Sequence, residues 1–125
     1  MTRKLVLTAL IIVMIFCIIG LTGCSGNEVQ GVNINDMDDL IGKVNLIDIR
    51  EPSEYAGGTL RTAVNIPMND LLANPDDYLD KDQTYYIMCR SGARSKKTTD
   101  SLSDKGYKVV NVLGGYSAYK GTNRE

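Results

Sequence analysis

Histidine is missing from this chain of 125 residues. Its absence excludes Ser-His-Asp and Cys-His catalysis within the chain. It also excludes zinc sites built on imidazole, and the cysteines are too few for a thiolate-rich one. No metal and no cofactor is therefore expected. A long basic stripe is lacking too: 14 basic residues face 15 acidic ones. Nucleic acid is not an expected partner of such a chain. Cysteine is scarce, at positions 17, 24 and 89 only. There is no internal repeat and no low-complexity segment. Any nucleophile here must be activated by backbone dipoles and arginines, because no imidazole can serve as base.

The amino terminus reads as a targeting segment. Arg3 and Lys4 precede an almost unbroken apolar run, Leu5 to Leu21. That order, charge then apolar run, marks a secretory signal. Leu21-Thr22-Gly23-Cys24 resembles the lipobox of bacterial lipoproteins. The resemblance implies cleavage after residue 23 and lipidation of Cys24. Residues 24–33 are then expected to be a lipid-anchored linker, and residues 34–125 the folded domain. The competing reading is an uncleaved membrane anchor, since 17 apolar residues lie at the short end of a bilayer span. Both readings place the domain outside the cytoplasm, tethered to a bacterial membrane. Removing Arg3 and Lys4 leaves 12 basic against 15 acidic residues. Cys89 becomes the one free thiol, a flag for reactivity in an exported chain.

The remaining chain alternates helical and strand patterns. A short helix is expected over 36–41, capped by Asn35, and a mostly apolar strand over 44–49. A turn or short helix follows from Glu51, then a short strand over 63–66 and a helix over 67–72. A turn near 75–79 leads to a strand over 84–88. A helix spans 94–105, ending at Gly106. The last strand covers 108–112 and a final short helix 116–120. This alternation predicts an α/β domain with a central, mostly parallel sheet flanked by helices. Ligands of such sheets bind at the carboxyl ends of the strands.

Cys89 lies at such an end and heads the run Cys89-Arg90-Ser91-Gly92-Ala93-Arg94. A thiol between a strand and a helix start meets converging N–H groups and a helix dipole, which favour the thiolate. Gly92 permits a tight turn. Arg90, Arg94, Lys96 and Lys97 form the one basic cluster, which fits a small anion. An arginine at a helix start opposes the dipole, so Arg94 calls for an anionic or carboxylate partner. Asp48 and Arg50 are expected to brace this loop.

Four separated pieces together resemble the rhodanese domain family: Asp48-Ile49-Arg50-Glu51 with Glu54-Tyr55; Gly58 to Pro67; Cys89 to Arg94; and Gly114-Gly115-Tyr116-Ser117-Ala118-Tyr119. Departures are Thr59 for a usual histidine, Thr62 for a usual glycine and Tyr119 for a usual tryptophan. The resemblance implies a three-layer rhodanese-like fold and sulfurtransferase chemistry. Cys89 would be the nucleophile, with Arg90, Ser91, Gly92, Ala93 and Arg94 binding an anionic sulfur donor such as thiosulfate, and a thiol or cyanide as acceptor. Phosphatases and arsenate reductases on the same architecture resemble C-x5-R, whereas this loop is C-x4-R, a tighter ring that suits sulfur better than phosphate. Two other readings stay open: a persulfide-holding or partner-binding module without useful turnover, motivated by a rim left loose after the last helix, and a thiol redox partner that needs a resolving cysteine in trans. A monomer is expected.

Overall fold

A computed structural model describes residues 28–125. The expected signal segment and Cys24 lie outside the described residues. Five strands, β1 (Gln30–Asn33), β2 (Asn45–Asp48), β3 (Val64–Asn65), β4 (Thr84–Met88) and β5 (Lys108–Leu113), form one sheet in the order β1-β5-β4-β2-β3. Every pairing between named strands is parallel. An isolated antiparallel bridge joins Leu60 to Arg124. The helices are α1 (Pro52–Ala56), α2 (Met68–Ala73) and α3 (Ala93–Asp104), with 3-10 turns at Ile34–Asp39, Pro75–Asp77 and Tyr116–Ala118.

Alternation along the strands divides the core into two layers. Ile47, Ile87, Cys89 and Val109 face one way, packing with Leu71 of α2 and Leu102 of α3. Leu46, Met88 and Val112 face the other, packing with Ile34, Met37 and Tyr119. Ile87, Met88, Cys89, Leu102 and Val112 are all fully buried. The three-layer expectation is met.

Two expectations need correction. The linker does not extend to Asn33: residues 30–33 are an edge strand, with Gly31 in register with Asn111 and Val32 with Val112. The first helix is a 3-10 turn starting at Ile34, whose N-terminal cap is Asn33; its side chain accepts from the N–H of Asn35. Polar Gln30 and Asn33 hide this strand in the sequence, because an edge strand needs only one buried face.

Candidate active site

β4 ends at Met88, and Cys89 begins the loop that Gly92 turns into α3. Gly92 has φ of +98°, a left-handed conformation that favours glycine. No side chain caps α3 in the usual way. The Cys89 sulfur takes that place instead. The N–H of Gly92 donates to Sγ at 3.0 Å and that of Ser95 at 3.4 Å. These donors belong to the cap and the first turn of the helix, groups that otherwise lack partners. The Ser95 hydroxyl lies 3.5 Å from Sγ and donates to the Gly92 carbonyl at 3.1 Å. When the thiol is protonated, S–H donates to the Ser95 oxygen. When it is ionised, the hydroxyl can turn to donate to sulfur.

These groups decide the thiol's ionisation. Burial pushes the Cys89 thiol up; the Ser95 hydroxyl and the N–H groups of Ser95, Gly92 and Ser91 pull it down and prevail. The net result is a thiol below its ordinary value, poised as a nucleophile.

A second loop clamps the first. The N–H of Tyr116 donates to the Cys89 carbonyl at 2.8 Å. Ser117 donates to the Arg90 carbonyl through its N–H (3.0 Å) and its hydroxyl (2.7 Å). Gly115 makes this approach possible: a Cβ there would meet the Arg90 carbonyl oxygen at 2.3 Å.

The expected site residues do not play one common part. Cys89, Ser91 and Gly92 line the sulfur's cradle. Ala93 opens α3 and is exposed. Arg94 forms a two-bond fork with Glu54, at 2.9 and 3.0 Å. The Arg94 hydrogen bonds hold Glu54 far below the usual carboxylate range, at about 2, so it is ionised at neutral pH. This is the carboxylate partner that an arginine at a helix start calls for. Arg90 is exposed and forms no ion pair among the described residues.

Asp48 and Arg50 are buried together. The guanidinium donates to the Asp48 carboxylate through Nε and Nη2, and to the Gly58 carbonyl at 2.6 Å. Thr59 donates to the same carboxylate at 2.9 Å. Asp48 has the parity of Leu46 along β2, facing away from the layer that holds Cys89. The pair thus braces from the far side of the sheet. It reaches the loop through Tyr116, whose ring lies 4.5 Å from the Arg50 guanidinium carbon. Asn65 completes the brace, its amide donating to the carbonyls of Asp48 and Arg50, each at 2.9 Å.

The rim is not loose. Residues 123–125 pair with 59–61 through Arg61 N–H to the Asn123 carbonyl (2.9 Å) and reciprocal bonds between Thr59 and Glu125 (3.1 and 2.9 Å). Sequence reasoning missed Ser95 and Glu54 as site residues. Ser95 was detectable as a hydroxyl one turn past Gly92, where first-turn donors converge. Glu54 carried no local signal, since its partner lies 40 residues away.

Comparison with known proteins agrees with this geometry. The sequence profile of the family described as Rhodanese-like domain matches residues 33–122, and the chain belongs to that family. It is 43% identical over 79 residues to the candidate sulfurtransferase YtwF of Bacillus subtilis, covering 63% of this chain and 76% of that one. It is 35% identical over 98 residues to a sulfurtransferase of Allochromatium vinosum, covering 74% and 87% of the two chains. Among solved structures, a rhodanese-like domain protein of Staphylococcus aureus superposes with a TM-score of 0.69 at 30% identity, covering 78% of this chain and 97% of that one. Rhodanese-type sulfur transfer is therefore supported at the level of the family.

Proposed function

We propose that this protein moves sulfane sulfur from an anionic donor such as thiosulfate to a thiophilic acceptor through a persulfide on Cys89. The observation that carries the reading is the convergence of Gly92, Ser95 and Ser91 donors on one buried sulfur. The thiolate attacks the outer sulfur of the donor. A new S–S bond forms, the donor's S–S bond breaks, and its electron pair leaves with sulfite. An acceptor thiolate or cyanide then attacks the outer persulfide sulfur and releases the Cys89 thiolate. No external oxidant or reductant enters, and the two half-reactions make the kinetics ping-pong. Preorganised N–H donors stabilise the anionic sulfur at each stage. Arg90, exposed and without an ion pair among the described residues, draws the anion toward the loop. Lipidation of Cys24 would hold this chemistry at the outer side of a bacterial membrane.

Intact mass of the chain, with and without thiosulfate, tests the reading. A gain of one sulfur atom that maps to Cys89, and that cyanide removes as thiocyanate, is the expected result. Persistence of the gain in C89S, or its absence from the native chain, rejects it. A stable persulfide with negligible turnover would instead favour the carrier reading.

A further inference from the structure

The charges around Cys89 do not add up to the basic cluster that the sequence displays. Arg94 is matched by the Glu54 carboxylate in a two-bond fork, and Arg50 by Asp48. What remains in the loop is Arg90, exposed and without an ion pair among the described residues. Its carbonyl is held by Ser117, so the free guanidinium springs from a fixed backbone. Arg94 is nonetheless close enough for its charge and that of the Cys89 thiolate to feel one another. Of the other cluster members, Lys96 pairs with Asp100, and Lys97 is exposed further along α3. The loop Cys89–Arg94 itself thus offers one uncompensated cation where its sequence shows two.

Building on the sulfur-transfer reading above, we propose that Glu54 is a specificity-determining residue. By cancelling Arg94, it biases the site toward sulfur donors with a single negative charge, organic persulfides and thiosulfonates, over dianionic thiosulfate. The second charge of a dianion must leave water on entering the loop, and the loop's other cation, Arg94, is already matched by Glu54. Glu54 cannot relax this bias by taking up a proton at neutral pH, because Arg94 holds it ionised. The carboxylate also accepts from the Glu51 N–H at 2.9 Å at the start of α1. A glutamine there keeps both the size and an accepting oxygen.

The test compares kcat/KM for thiosulfate and for methanethiosulfonate, a monoanion, in the full chain and in Glu54→Gln. Uncancelling Arg94 should raise the thiosulfate-to-methanethiosulfonate ratio about two- to fivefold at low salt. The rise should shrink as salt screens the charge. R90A should move the ratio the other way. A purely structural role for Glu54 would lower both rates and leave the ratio alone; an unchanged or reduced ratio in E54Q overturns the proposal. If neither donor is turned over, the sulfur-transfer reading fails by itself, and a titration decides the charge argument. The ultraviolet thiolate absorbance lost in C89S reports Cys89 alone. Its midpoint should move down in pH in E54Q, because the uncancelled guanidinium favours the thiolate. A midpoint that stays or rises overturns the proposal on this route too.

Discussion

Two arginine–carboxylate forks flank the sheet, built from the same groups and set to different tasks by solvent. Asp48–Arg50 is almost sealed, with side chains 0% and 5% exposed, while Glu54–Arg94 keeps 28% and 33%. The sealed fork is held from several sides: by Thr59, by the Gly58 carbonyl, by the Arg50 N–H and by the Tyr116 ring. Among the described residues, the members of the open fork have only each other and the Glu51 N–H. Burial makes the first a structural keystone whose partners cannot be removed singly. Exposure makes the second a weak staple whose charge balance, read from the reactive loop, matters more than its strength.

The largest effect should come from breaking the sealed fork. Arg50→Ala leaves the Asp48 carboxylate buried and uncompensated, at a cost of about 3–5 kcal/mol. Urea unfolding of the variant against the native chain measures it. A loss below about 1 kcal/mol would mean that the two forks do not differ as their burial implies.

The open fork should yield far less. Arg94→Ala is expected to cost about 1 kcal/mol, after allowing for screening at a partly exposed site. Its pH dependence has a defined sign. Glu54 titrates at about 2 in the folded chain, below its ordinary value of 4.5. Its contribution to stability is therefore fully present above pH 4.5 and lost as pH falls toward 2. Subtracting the unfolding free energies of E54Q from those of the native chain isolates this term. A difference that grows on acidification would reverse the assignment.

The contrast also explains what could be read beforehand. The α/β order with its parallel sheet and the Cys89 loop were legible because alternating helical and strand patterns and a glycine-turned helix start are local signals; the three-layer arrangement came with the family resemblance. The role of Asp48 and Arg50 as a brace was legible as an expectation without a geometry. That they sit behind the sheet follows from strand parity, which a one-residue error in register would have reversed. The Arg94–Glu54 fork was half legible: the arginine's position against the helix dipole calls for an anion, but nothing local identifies a carboxylate from α1. β1 escaped notice because its polar residues resemble a linker when its partner, β5, is out of view.

The smallest prediction sharpens the sealed side. The segment 58–65, which wraps the Asp48–Arg50 fork, passes through Thr62 at φ of +74°, the one described non-glycine residue in the left-handed region. A β-branched side chain pays there for steric crowding between its Cβ and the backbone. The residue is exposed and its hydroxyl makes no hydrogen bond among the described residues, so nothing offsets that crowding. Thr62→Gly removes it, while the freer unfolded chain takes back part of the gain. The net expectation is stabilisation of about 0.5–1 kcal/mol, measured by urea unfolding. The Cys89 thiolate midpoint should stay in place, because Thr62 lies in the segment that holds the brace and not in the loop. Destabilisation would show that the left-handed turn is held by contacts of the threonine itself. A shifted thiol midpoint would show that strain in this segment is transmitted through Arg50 and Tyr116 to the sulfur, so that the sealed fork tunes the site and does more than support it.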